Sequence, residues 1–249
     1  MDLGLKDRVA IVTGSARGIG AETARMLASE GMAVVITDLD LDAATETARH
    51  IESNGGKAIA VQCDVRSEEQ VRKMVGAGVE AFGRMDVLVN NAGLVKDRTL
   101  LKMEEADFDL VLNVTLKGAF HCCRAVLPHM HERGWGRIVN ITSRALFGNP
   151  GQANYSSAKA GLVGFTRALS LEQARKGVTV NAIAPGFIET EYIQSLPNYD
   201  TIRENALAKN AVTFAGQTSD IAGAVAFMAS EHARYITGTT LFVTGGRYG

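Results

Sequence analysis

The chain has 249 residues, 26 of them basic and 27 acidic, for a formal net charge of −1, and 46% of its residues are hydrophobic. At that length a single core can bury about 70 to 75% of the unfolded chain's surface, while the balanced charge excludes a bulk field that would draw nucleic acid or an anionic membrane. Three cysteines, Cys63, Cys122 and Cys123, are too few and too poorly spaced for a disulfide framework or a zinc site, so no metal is expected and the thiols fit a reduced cytoplasmic setting.

The first residues, "MDLGLKDRVAIVTG", carry charges before and inside the only apolar run, which fits neither a signal peptide nor a membrane span. Within them "RVAIVTG" is β-branched without polar alternation and predicts a strand buried on both faces. It leads into "TGSARGIG", where Gly14, Gly18 and Gly20 allow a tight turn and close backbone approach. Residues 18–30 predict a helix whose free N–H groups and positive dipole end suit a pyrophosphate. The spacing, GxxxGxG, departs from the common GxGxxG fingerprint.

The second strand, "MAVVITD", ends at Asp38, about 18 residues beyond Gly20. A carboxylate there can hydrogen-bond an adenosine 2′-hydroxyl and repels a 2′-phosphate, so the expected cofactor is NAD rather than NADP. Arg17 argues the other way, but Leu39 adds no second cation. Asp38 could instead cap the next helix, and Asp40 could do so equally well.

A helix over 41–53, the strand "AIAVQCD", a helix over 67–82, the strand "DVLVNNAG" and a helical segment over 104–131 follow. Then come "RIVNITS", a helix over 152–176, "VTVNAIAPG" and a last strand, "TLFVTGG". This alternation predicts a doubly wound α/β Rossmann fold, with a central, mostly parallel seven-stranded sheet and helices on both faces. No linker or repeat interrupts it, so residues 1–249 are expected to form one domain. The strands end at Gly14, Asp38, Asp64, Asn90 and Asn91, Ser143, and Pro185 and Gly186, which should converge on the carboxyl edge where such sheets bind ligands. Residues 187–215 break the rhythm and are expected to form a substrate lid.

"YSSAK" places Tyr155 and Lys159 on one helix face at i, i+4. Spacing alone decides nothing, because Tyr199 and Arg203 share it. With "TGSARGIG", "NNAG", "NVTLKGAF", Ser143, "YSSAK" and "APGFIET" in order, however, the chain resembles the short-chain dehydrogenase/reductase family over essentially its whole length. Within that family, "GQANYSSAKAGLVGFTRAL" and "YITGTTLFVTGG" are most similar to 3-oxoacyl-acyl-carrier-protein reductases.

The resemblance implies a catalytic tetrad of Asn113, Ser143, Tyr155 and Lys159. Tyr155 would exchange the substrate proton, Ser143 would hold the same oxygen, Lys159 would hold the nicotinamide ribose and lower the Tyr155 pKa, and Asn113 would anchor a relay water. The cofactor would lie on Gly14, Ser15, Arg17, Gly18, Ile19, Gly20, Asp38, Leu39, Asp64, Val65, Asn91, Ala92, Gly93, Tyr155, Lys159, Pro185, Gly186, Ile188 and Thr190. A cytoplasmic homotetramer is also implied, with helices near 104–131 and 152–176 at one interface and the carboxyl terminus at another.

Phe187, Tyr192 and Ile193, with Leu94, Leu146 and Phe147, predict a mainly apolar substrate pocket. Arg144 is read as a surface ion-pair residue ahead of a contact to an acidic substrate group. The expected reaction is hydride transfer between NAD(H) and a secondary alcohol or ketone, with small-molecule and 3-hydroxyacyl thioester substrates both in view. An NADPH-dependent 3-oxoacyl-carrier reductase is the alternative, and a non-catalytic nucleotide-binding subunit is the alternative of another class. "AVTFAGQTSD" at 211–220 departs from the family's usual "PLGRxGxPxD", with Phe214 at the Arg and Thr218 at a Pro.

Overall fold

Val9–Thr13 form strand β1, and their side chains alternate between the two faces of the sheet. Ala10 and Val12 join an apolar core on one side, and Val9 and Ile11 join a second core on the other. The computed structural model describes residues 2–247. Along the chain follow α1 (Gly18–Ser29), β2 (Ala33–Asp38), α2 (Leu41–Ser53), β3 (Lys57–Gln62), α3 (Glu68–Phe82) and β4 (Val87–Asn90). Next come α4 (Glu105–Leu112), α5 (Gly118–Arg133), β5 (Gly136–Ile141), α6 (Ala153–Gln173) and β6 (Val178–Pro185). The remainder holds β7 (Ile188–Glu189), α7 (Glu191–Gln194), α8 (Tyr199–Leu207), β8 (Gly216–Gln217), α9 (Thr218–Ala229) and β9 (Thr240–Val243).

Seven strands pair in the order β3-β2-β1-β4-β5-β6-β9, every pairing parallel. All seven coincide with the expected runs, and the sheet is fully rather than mostly parallel. The order reverses between β1 and β4, and a crevice opens at the carboxyl ends of such a pair. Asp86, fully buried, holds the other end of that pair by accepting the Val9 N–H at 2.8 Å and a two-pronged contact from Arg84 at 2.6 and 2.8 Å.

The helical segment expected over 104–131 is divided. Between α4 and α5, Asn113–Lys117 form a π-helical turn, and the Gly118 N–H reaches back to the Asn113 carbonyl. This composite helix, Glu105–Arg133, is long and apolar enough by composition to cross a membrane, but α4 packs on α6, and α5 on α3, β4 and β5. The helix expected to reach 176 ends at Gln173 and continues as a single 3₁₀ turn. Helix α9 was not foreseen. Its start is a capping box in which the Gln217 N–H donates to Asp220 at 2.7 Å, so Thr218 replaces a proline without loss of the cap.

All three cysteines are buried and unpaired, Cys63 just past β3 and the other two on α5. Trp135 is an anchor: it lies between the Arg8 and Arg137 guanidinium carbons, 3.4 and 4.2 Å from its ring centre, and donates to Glu231 at 2.9 Å.

Candidate active site

The crevice is built around the end of β1. Thr13 Oγ1 accepts the N–H groups of Asn91 and Ala92, both at 3.0 Å, while the Asn91 side-chain amide donates to the Thr13 and Gly14 carbonyls at 2.9 and 2.8 Å. The end of β4 is thereby fastened to the glycine loop. Gly14 has φ 62°, and a Cβ on it would lie 2.9 Å from the Ala92 Cα. A Cβ on Gly20 would run into the Gly14 carbonyl, so both positions exclude side chains. Ser15 is fully buried, donates to the Val12 carbonyl at 2.6 Å and accepts the Thr37 N–H at 3.0 Å. It braces the loop and does not face the crevice.

One cavity of about 310 Å³ is lined by Gly14, Arg17, Asp38, Leu39, Asp64, Val65 and Asn91–Gly93. A second, of about 510 Å³, holds Ile19, Ser143, Tyr155, Lys159, Pro185, Gly186, Ile188 and Thr190. The two meet at Asn91, Gly93 and Leu94. Gly18 lines a third hollow behind the loop, shared with Arg17 and Thr190. Of the expected residues, Ser15, Gly20 and Asn113 line none of these. Asn113 opens the π turn, whose Thr115 hydroxyl is buried, without a hydrogen-bond partner, beside Gly93.

At the far end of the first cavity Asp38 accepts N–H groups from Ala16 (3.2 Å), Leu39 (2.8 Å) and Asp40 (3.3 Å). Asp40, not Asp38, caps α2, accepting the Ala43 N–H at 3.1 Å, and it also binds Arg17 at 2.9 Å. The helix thus has its cap at Asp40, and Arg17 pairs with Asp40 rather than with Asp38. Asp64 grips Arg66, and this hydrogen bonding keeps its pKa below the usual carboxylate value. The glycine cradle, the α1 N-terminus and a free-standing acid at the tip of β2 together fit a dinucleotide.

At the other end, Lys159 is buried to 3% exposure and donates to the Ile141 carbonyl at 2.7 Å, with its ammonium 5.4 Å from the Tyr155 ring centre. Burial lowers its pKa to about 8. Burial likewise raises the Tyr155 pKa, opposed by a hydrogen bond with Ser143 and reinforced by the Asp97 charge. In the protein without cofactor, burial is thus the dominant influence on Tyr155. Ser143 accepts the Ala145 N–H at 3.1 Å, which leaves its own O–H free to donate.

Beyond Tyr155 a further cavity, about 580 Å³, includes Phe187, Tyr192 and Ile193 as expected, together with Ile202, Asn205 and Ala206. Leu94 lines the neighbouring cavity, but Leu146 lines neither, and Phe147 stacks on Phe242 with ring centres 5.5 Å apart. Phe147 is drawn off by an aromatic partner from β9, which local sequence does not reveal. Asp97, Gln152, Lys209 and Arg247 also face this cavity and escaped the sequence reading. Glu189 secures the wall by accepting from Tyr199 (2.6 Å), Arg203 (2.8 Å) and Gln217 (3.0 Å). The second Tyr-to-cation pair is therefore structural.

The depressed Lys159 pKa has a consequence for stability. Its value is about 8 folded against 10.5 for the ordinary group, so between these pH values the unfolded chain binds the extra proton. Below pH 8 the penalty for the buried charge is fully present, and raising pH through the window relieves it. Between pH 7 and 11 the wild type should gain about 3 kcal/mol of unfolding free energy relative to Lys159→Met. Denaturant titrations of both proteins at the two pH values check this, and parallel stability curves would contradict it.

Residues 14–247 match the family model described as enoyl-(acyl carrier protein) reductase. The chain is 44% identical over 245 residues to a (2S)-[(R)-hydroxy(phenyl)methyl]succinyl-CoA dehydrogenase subunit of Thauera aromatica, covering 98% of each chain. It is also 44% identical to a 3-oxoacyl-[acyl-carrier-protein] reductase of a Synechocystis strain, covering 97% of each. A 7α-hydroxysteroid dehydrogenase solved with NADH and 7-oxo-glycochenodeoxycholic acid superposes with a TM-score of 0.94 at 34% identity, covering 99% of this chain and 96% of that one. With a crevice at the β1/β4 reversal, and Ser143, Tyr155 and Lys159 around one cavity, the chain belongs to the short-chain dehydrogenase/reductase family, oxidoreductases that act on CH–OH or carbonyl groups.

Proposed function

We propose that the protein is an NAD-linked dehydrogenase interconverting a secondary alcohol and its ketone, with a 3-hydroxyacyl or 3-oxoacyl thioester as the leading substrate class. The observation that carries the reading is the convergence of Ser143, Tyr155 and Lys159 on one cavity continuous with the Asp38 cavity. The nicotinamide group supplies or accepts the hydride and, when oxidised, brings a positive charge. Gly14, Gly18 and the α1 N-terminus would take the pyrophosphate, Asp38 the adenosine ribose, and Ile188 and Thr190 the carboxamide. The Asn91 amide donors are already spent within the protein, so any ribose contact there falls to its oxygen.

In reduction, Tyr155 donates its proton to the carbonyl oxygen while the Ser143 hydroxyl holds that oxygen. Burial keeps the phenol protonated, as a proton donor requires. In oxidation Tyr155 must instead accept the alcohol proton. Bringing a phenol from pKa 10 to 7 takes about 4 kcal/mol. A unit charge at ~4 Å and an effective dielectric of ~20 supplies an interaction of about that size. Lys159, which would also hold the ribose, contributes part of that field from inside the protein. Asn113 would anchor a relay water.

The thioester class draws support from the relatives, one named for a hydroxyl-bearing succinyl-CoA and the other for a 3-oxoacyl chain. The second name also favours the rival reading, an NADPH-dependent carrier-protein reductase. Asp38 supports NAD, because a free-standing carboxylate at the tip of β2 repels a 2′-phosphate. We take residues 1–249 as one domain, with 187–215 as its lid and the cytoplasm as its setting.

A homotetramer is part of the same reading. Phe120 and Leu171 are apolar and exposed on α5 and α6, the helices assigned to one interface. The second interface involves the carboxyl terminus, whose last two residues lie outside the described ones. Light scattering should give the mass of four chains, and a single-chain mass at working concentration would remove the assembly.

Turnover of NADH and NADPH across a panel of ketones and acyl thioesters tests the function. Tyr155→Phe should lower kcat by about 10²-fold or more while NADH binding, followed by fluorescence, stays within about twofold. Asp38→Ala should shift the NADH-to-NADPH ratio of kcat/KM at least tenfold toward NADPH. Strong NADPH preference in the wild type with a carrier-linked substrate would support the rival. Cofactor binding without turnover of any substrate would instead indicate a non-catalytic subunit.

A further inference from the structure

Three cations face the cavity beyond Tyr155: Arg144, directly after Ser143; Lys209, just past the end of α8; and Arg247, beyond β9. They converge from three separate stretches of chain. Arg144 and Arg247 are half-buried, and Lys209 is exposed at the rim. None of the three side chains makes an ion pair with a carboxylate among the described residues. The expectation that Arg144 belongs to a surface ion pair is therefore not met.

Among the described residues, the only carboxylate lining the same cavity is Asp97, which accepts a hydrogen bond from Gln152 at 2.9 Å. The rest of the lining is uncharged. Ser143 and Tyr155 form part of the same wall, so a molecule reacting at those hydroxyls extends directly toward the three cations.

We infer that this cavity selects substrates bearing a carboxylate away from the reacting carbon, received by Arg144 and Arg247 with Lys209 at the rim. A half-buried guanidinium without an ion-pair partner carries a desolvation cost, and two like charges lining one cavity repel; one carboxylate between them relieves both and can accept paired N–H donors. The Arg247 pKa is lowered by burial and then by repulsion from Arg144, which places the two charges within each other's field. The apolar side chains Phe187, Ile193 and Ile202 then cover the carbon body between the reacting group and the acid.

This rests on the dehydrogenase reading, and the experiment separates the two. The probes are the monoethyl ester of 3-oxopentanedioic acid and its neutral diethyl ester. A 3-oxobutanoyl thioester, presented on CoA and on neutral N-acetylcysteamine, distinguishes a substrate carboxylate from the phosphates of CoA as the anion recognised. In the wild type, kcat/KM for the monoester should exceed that for the diester by at least tenfold. In Arg144→Gln/Arg247→Gln that ratio should collapse toward one, and Arg247→Lys should restore part of it.

Calorimetric binding of the monoester to the NADH-loaded protein gives a readout without turnover. Its Kd should rise at least tenfold in the double variant and stay unchanged in Lys176→Gln, an exposed cation outside the cavity. Turnover of the diester with no preference for the monoester would overturn the carboxylate inference and leave the dehydrogenase reading intact. So would a selectivity confined to CoA over N-acetylcysteamine, which assigns the cations to phosphate. Absence of all turnover would defeat the dehydrogenase reading, and equal monoester affinity in wild type and double variant would then defeat the inference as well.

Discussion

A charged lysine held inside the protein is the constraint on which the site depends. Lys159 lies in α6 with 3% exposure and donates to the Ile141 carbonyl at the end of β5. An ammonium so placed is unfavourable for folding, and burial brings its pKa down to about 8. Thr142 ties the same turn of α6 to the sheet by donating to the Lys159 carbonyl at 2.8 Å. Lys159 is therefore positioned by β5 and α6 together.

The opposite wall uses neutral hydrogen bonds for the same purpose. Thr13 and Asn91 lock the ends of β1 and β4, and the glycine loop can then approach closely because Gly14 and Gly20 carry no side chain. Asp86 holds the other ends of those strands in register. The strand pair that opens the crevice is thus fixed at both ends, and the crevice's far tip carries Asp38 with its carboxylate directed at backbone amides rather than at a cation.

Much of this was legible in the chain. The seven apolar runs became seven strands because continuous β-branched sequence has few alternatives in a parallel sheet, although the edge strands β3 and β9 are only partly buried. Asp38 was found because a strand end places it, and Tyr155 and Lys159 because helical spacing puts them on one face. What escaped notice depended on distant neighbours. The π turn at Asn113–Lys117 reflects packing against other elements, not local propensity. Phe147 left the pocket for Phe242, about ninety-five residues away by number. Arg247 and Lys209 entered it through the fold's closure, which no local pattern announces. Spacing likewise identifies a charge near Tyr155 but not how much water burial removes from it.

The chain thus brings Ser143, Tyr155 and Lys159 to one cavity with burial raising the Tyr155 pKa, and in the proposed reaction the positive charge of the oxidised cofactor would lower it. The most direct measurement is the Tyr155 pKa, followed by NMR of protein carrying [¹³Cζ]tyrosine, with Tyr155→Phe assigning the resonance. The account predicts a value above the ordinary 10 in the protein alone, and a lower value at saturating NAD⁺. A value below 10 without cofactor, or one that NAD⁺ leaves unchanged, would contradict it.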